Sequence, residues 1–204
     1  MTSRKSRRLS SAERRERILE AAVRTFARAG YAGASMNRIA AAAGVTKPVL
    51  YDHYASKQDL YVAVLEAIRD DLLSRGKVIS QRRSSPEDRF RAAVGEFFRA
   101  VADRPEAIRV LLHVPQADAA AASLWRRVQE GATAGIAALL STIWRSREDW
   151  ECAAAAEFIK AGLHALAEWS TQHPELDQDE VVSVVMQTAW TGVGHPRRRK
   201  ERRS

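Results

Sequence analysis

Residues 35–57 read SMNRIAAAAGVTKPVLYDHYASK, and their pattern predicts two short helices joined by a tight turn. Ser35 can serve as N-cap of the first helix. Met36, Ile39 and Ala40 then place apolar groups on one face, and the run stops at Gly44. Gly44 suits the left-handed position that ends a helix. Val45 is the apolar plug after it. Thr46 can cap the second helix, with Pro48 in its first turn, where a missing N–H costs nothing. Helix, glycine turn, helix is the pattern of a DNA-reading helix-turn-helix.

Working outward, Ser10 and Glu13 form a capping-box pattern, and Ile18, Leu19, Ala22, Val23 and Phe26 follow at helical spacing. This predicts a supporting helix that ends at Gly30, with Tyr31 packing beside Phe26. Ser56 and Asp59 start a fourth helix carrying Leu60, Tyr61, Val64, Leu65, Ile68 and Leu72 to about Ser74. The polar and basic run Gly76–Ser85 reads as a loop. Five further helices are expected. One opens at Ser85-Pro86, residues 106–113 make a short one, and three more run over Ala119–Trp144, residues 149–172 and onward from Asp177 to at least Val193. No period-2 alternation supports a sheet. The fold class is all-α, with about nine helices.

The net charge of +8 is uneven. Residues 1–60 hold 12 Lys/Arg against 5 Asp/Glu, residues 61–195 hold 15 against 19, and residues 196–204 hold 6 against 1. A basic end on an acidic body points to a polyanion bound at that end. The expected division is a disordered basic arm (1–9), a helix-turn-helix domain (10–58), a helical ligand-binding and dimerisation domain (59–195) and a disordered basic tail (196–204). The arm either follows phosphates or is a solvated tail. No run of about 18 apolar residues predicts a membrane span. No apolar segment follows the basic N-terminus to make a secretory signal, and the single Cys152 fits a reducing cytoplasm.

The set Gly30…Ser35…Ile39-Ala40…Ala43-Gly44-Val45-Thr46-Lys47…Leu50-Tyr51…His53-Tyr54…Ser56-Lys57…Leu60 resembles the TetR family of bacterial transcriptional regulators. The likeness covers roughly residues 11–65. It implies an all-helical homodimer in which three helices bind double-stranded DNA and a larger bundle binds a small effector and dimerises. Lys47, Pro48 and Val49 open the recognition helix. Lys47 can donate to guanine O6/N7 and Val49 can touch a thymine methyl. Matching family positions imply that Tyr51 and His53 reach phosphates. Lys57, in the first turn of the fourth helix, is expected to favour a phosphate. Asn37 and Arg38 start the helix that crosses the backbone, and Ser35 and Thr46 complete the DNA-binding set. Ile39, Leu50 and Tyr54 read as core. Asp52 either accepts from cytosine N4 or faces solvent.

The resemblance also implies an effector pocket, with Phe97, Phe98, Val101, Leu111, Trp125, Val128, Trp144, Phe158 and Trp169 as its apolar candidates. His113, Gln129 and Glu157 are its polar candidates. An apolar or aromatic effector follows from that lining. The two C-terminal helices resemble the family's dimerising pair. Ala154, Phe158, Ala161, Gly162 and Ala165 are expected on one face of it, and Val181, Val184, Val185, Thr188 and Ala189 on the other. Nothing supports catalysis. The five histidines are scattered, Cys152 has no ligand spacing, and no phosphate loop or G-x-S-x-G is present, so no cofactor or metal is expected. The reading is a repressor released from a palindromic operator by a small effector. The alternative is a ligand-binding or scaffold protein whose basic end meets a non-DNA acidic partner.

Overall fold

The computed structural model describes residues 10–116, 118–144, 147–173 and 175–190. The expected basic arm and basic tail, the stop at Pro174 and the position of Val193 lie outside the described residues. Among the described residues there are nine α-helices and no strand. They are α1 (Ser11–Gly33), α2 (Met36–Ala43), α3 (Lys47–His53), α4 (Lys57–Ser80), α5 (Pro86–Asp103), α6 (Pro105–Leu112), α7 (Ala119–Ile143), α8 (Asp149–Thr171) and α9 (Gln178–Val185), and α9 runs into a π-helical turn, Met186–Trp190.

The starts are as the sequence predicts. Ser10 Oγ accepts from the Glu13 N–H at 3.1 Å while the Glu13 carboxylate accepts from the Ser10 N–H at 2.7 Å. Two donors that α1 would leave open are thereby satisfied. Ser56 and Ser85 cap α4 and α5 in the same manner, each accepting from the N–H three residues on.

The chain forms two compact units. One takes in the described residues up to Arg69 together with Pro105–Gln129, and the other takes in Asp70–Arg104 and the described residues from Glu130 onward. In the first, α6 packs on α1, and the first turns of α4 join α1 through one aromatic cluster of Phe26, Tyr31 and Tyr61. Its ring centroids lie 4.9–6.1 Å apart, a range in which each pair contributes about 0.5–1.5 kcal/mol beyond area burial. Ile18, Ile39, Leu50, Leu60, Val64 and Leu65 are fully enclosed around it.

The second unit is centred on Phe90, Val94 and Phe98 of α5, Leu140 of α7, Ala156 and Ile159 of α8, and Val181, Val182 and Val185 of α9. Here the expected loop from Gly76 to Ser85 is corrected: α4 continues to Ser80. The reason is a close approach to α7. A Cβ on Gly76 would lie 2.9 Å from Leu139 Cδ1, and one on Gly135 would lie 2.5 Å from Leu73 Cδ1. Each glycine is a notch filled by a leucine of the facing helix.

Candidate nucleic-acid interface

The turn between α2 and α3 is set by Gly44, at φ 67° and ψ 31°. Its N–H returns to the Ala41 carbonyl at 3.1 Å, and the Val45 N–H reaches the Ala40 carbonyl at 3.0 Å. This closes α2 and turns the chain into α3. Ile39, Leu50 and Tyr54 are buried, and they tie the two helices to the first unit's core as expected.

Leu50 is the one buried residue of α3. Thr46, Lys47, Pro48, Tyr51 and Asp52 are exposed, and Val49 and His53 are half-buried. Lys47 Nζ stands 5.8 Å from the centre of the Tyr51 ring, so the cation and the aromatic face share one side of the helix. On α2, Asn37 and Arg38 are exposed as well. Ser35 and Thr46 occupy N-cap positions with extended backbone, but neither hydroxyl bonds to its helix. Both remain available to an outside acceptor. The structure thus gathers Asn37, Arg38, Thr46, Lys47, Pro48 and Tyr51 on solvent-facing positions of two consecutive helices.

Lys57 is different: the expected phosphate contact rests on the dipole and free N–H groups of the first turn of α4, while the Lys57 side chain is engaged within the first unit. Its Nζ donates to the Tyr31 carbonyl at 2.9 Å and the Ala34 carbonyl at 3.3 Å, with the Ala32 carbonyl at 3.5 Å. It also lies 4.4 Å from the centre of the Tyr31 ring. The cation therefore closes the carbonyl end of α1, where the helix leaves acceptors open and its dipole favours positive charge. Lys57 positions the start of α2 against α4.

The expected pocket residues fall into both units. In the first, Leu111 and Val128 are buried. The Leu111 carbonyl accepts from Trp125 Nε1 at 2.9 Å and from Gln129 Nε2 at 2.8 Å. That arrangement is an internal knot. His113 is exposed and lines a cleft beside α1. In the second, Phe98 and Val101 are core, Phe97 and Trp144 pack against it, and the Arg147 guanidinium sits 4.8 Å from the Trp144 ring. Phe158 and Trp169 are corrected. They are 69% and 43% exposed, because the inward phase of α8 is taken by Cys152, Ala156, Ile159, Lys160 and Ala167.

The sequence reading named Glu157 in this second unit and missed Lys160 and Thr133, which form a polar cluster with it. Lys160 is 8% exposed, and its Nζ donates to Thr133 Oγ1 at 2.6 Å and to the Glu157 carboxylate at 2.9 Å. Thr133 donates to the same carboxylate at 2.6 Å. The Thr133 hydroxyl and then the Lys160 ammonium hold the Glu157 carboxyl below the usual carboxylate range. Phe97 stacks on His164, and burial, reinforced by Lys160, pushes that imidazole down to about 4. The helical phase of Lys160, one residue beyond the apolar Ile159 in an alanine-rich run, was the available signal.

The expected dimer residues separate cleanly. Ala154, Phe158, Ala161, Gly162, Ala165, Val184 and Thr188 are exposed. Val181 and Val185 are corrected to core, where they pack against α5, and half-buried Ala189 leans on the same core. Among the described residues no cluster could hold a metal ion, and no helix is long and apolar enough to cross a membrane. Cys152 is buried, which pushes its thiol up, away from the reactive thiolate.

Comparison with known proteins agrees with this geometry. Residues 18–64 match the family described as "Bacterial regulatory proteins, tetR family", which spans α1 to the first turns of α4. The HTH-type transcriptional activator FasR of Mycolicibacterium smegmatis is 33% identical over 201 residues, covering 95% of this chain and 89% of that protein. The fatty acid degradation regulator FadR from Bacillus halodurans has the same fold, with a TM-score of 0.75 at 20% identity over 87% of this chain and 98% of that one. FadR from Bacillus subtilis, solved in complex with stearoyl-CoA, gives 0.74 at 17% identity over the same shares. Helix order, the glycine turn and a full-length likeness thus converge: the chain belongs to the TetR family and is a DNA-binding transcriptional regulator, not an enzyme.

Proposed function

We propose that two copies of this chain bind a palindromic operator in the cytoplasm and repress transcription, and that a small apolar or aromatic effector releases them. The carrying observation is α3. Its single inward residue, Leu50, leaves Thr46, Lys47, Pro48 and Tyr51 facing out on the element that such a fold lays in the major groove. Lys47 and Val49 would read bases, whereas Asn37, Arg38, Tyr51 and His53, with the Ser35 and Thr46 hydroxyls, would hold phosphates.

The pairing surface we propose is α8. Trp150, Ala154, Phe158, Ala161, Gly162, Ala165 and Trp169 fall within about 120° of arc at 3.6 residues per turn, and all are exposed. A solvent-facing apolar stripe on a soluble helix marks an association site, and small residues along it permit close approach of a copy of itself. Val184 and Thr188 of α9 extend it. A two-fold pair would set the recognition helices about one DNA turn apart, roughly 34 Å.

The effector would bind in the second unit, where Lys160, Thr133 and His164 offer polar groups amid the apolar side chains of α5 and α8. An effector acts only through its differential affinity for the DNA-competent and incompetent states. The stearoyl-CoA complex of the Bacillus subtilis FadR supports acyl-CoA thioesters as the first class to test. A second reading, activation, is favoured by the full-length likeness to FasR, itself called an activator. Footprinting on genomic fragments, including the protein's own promoter, tests the central claim. A protected palindrome that survives competitor DNA is expected, and loss of all sequence preference at moderate salt refutes it. A promoter fusion then separates the readings by whether deletion of the protein raises or lowers expression.

A further inference from the structure

The first unit contains a cleft of about 280 Å³ between α1 and α6. Its floor is aromatic, made by Phe26, Tyr31 and Tyr61. One wall is apolar, made by Val110, Val114 and Pro115. Its rim is basic. Arg28, Arg109 and His113 are all exposed along the mouth. The neighbouring carboxylates are already engaged. Glu106 faces Arg28 at 3.5 Å, and Asp118 accepts from the Ala121 N–H at 2.9 Å to cap α7. Arg109 has no ion pair among the described residues. An apolar slot closed by one uncommitted guanidinium is a complementary shape for a flat apolar body that carries a single anionic group.

We propose that this cleft binds a small aromatic carboxylate, with its rings against Phe26, Tyr31 and Tyr61 and its carboxylate on Arg109. The volume accommodates one or two fused rings. The site is separate from the effector region of the second unit and does not depend on it. Its floor includes Gly30, whose φ of 65° and ψ of 175° break α1 immediately before the segment that leads into α2. An occupant would therefore bridge α6 to the joint that carries the DNA-reading helices.

The test is a ligand-observed NMR titration of the full chain with 2-naphthoate, with 2-naphthamide as the uncharged control. A ligand of this size in a good site binds with a Kd on the order of 0.1–1 mM. The amide should bind at least tenfold more weakly, because it lacks the charge that Arg109 meets. Arg109→Ala should weaken the naphthoate about tenfold and Arg109→Lys less, and Val114→Trp, which fills the slot, should abolish it. Arg109 is exposed, so its variants keep the test valid if Val114→Trp fails to fold. Equal affinity for acid and amide, no binding at 5 mM, or a Kd unchanged by Arg109→Ala overturns the proposal. A Kd raised by Lys160→Met but not by Arg109→Ala assigns the naphthoate to the second unit and overturns it as well.

Discussion

Replacing Lys57 with methionine removes a charge and keeps the length of the side chain. Two carbonyls then lose a charged donor, those of Tyr31 at 2.9 Å and Ala34 at 3.3 Å; Ala32, at 3.5 Å, is at the limit and counts for little. A hydrogen bond from a charged group is worth about 1.5–3 kcal/mol when buried. Lys57 is half-buried, so solvent takes over part of both. Loss of the cation over the Tyr31 ring adds about 0.5–1 kcal/mol. The net expectation is about 2–3 kcal/mol of stability, or roughly 4–12 °C in Tm for a chain of this size. Operator affinity at 20 °C, where the variant is still folded, should change by less than about threefold. Thermal melting by circular dichroism and a fluorescence-anisotropy titration on a fixed operator duplex read the two quantities. A variant whose Tm is unchanged while affinity falls tenfold would return Lys57 to the phosphate backbone and refute the reasoning.

Three further outcomes are expected. Tyr51→Ala should weaken binding to all DNA alike, whereas Lys47→Ala should also relax preference at particular bases by about 1–3 kcal/mol, measured by competition with substituted operators. Phe158→Glu places a charge on the α8 stripe and should shift the dimer to monomer in sedimentation or light scattering without lowering helix content; a dimer that persists at micromolar protein rejects that face. His164 has a folded pKa of about 4, below its ordinary value of 6.5, so its contribution is present above pH 6.5 and is lost as pH falls toward 4. That loss is at most about 3 kcal/mol, and less after solvent screening. The His164→Gln variant should show a flatter Tm profile between pH 7 and 4.5.

The first unit was legible because its signals are local. Gly44 must take a left-handed conformation, Ser10 and Glu13 cap each other three residues apart, and Ile39 and Leu50 recur at helical phase, so short-range physics determines each. The second unit was less legible because its signals depend on facing helices. Gly76 reads as a break until Leu139 is placed opposite it, and Val181 and Val185 read as a free face until α5 covers them. Phe158 shows the same limit, since hydrophobicity alone does not say whether a phenylalanine lines a pocket or awaits a partner. Lys57 fits a phosphate by position, and only the three-dimensional path of α1 brings the competing carbonyls to it.

The paired notches of α4 and α7 have a mechanical consequence. Leu139 sits in the space at Gly76 and Leu73 in the space at Gly135, so each helix holds one leucine of the other and the pair interlocks at two points. Sliding one helix along the other would drive both leucines into neighbouring side chains at once. The pair is built as a lock against sliding, and alanine at Gly135, by crowding Leu73, would act on that lock while leaving every polar group of the protein in place.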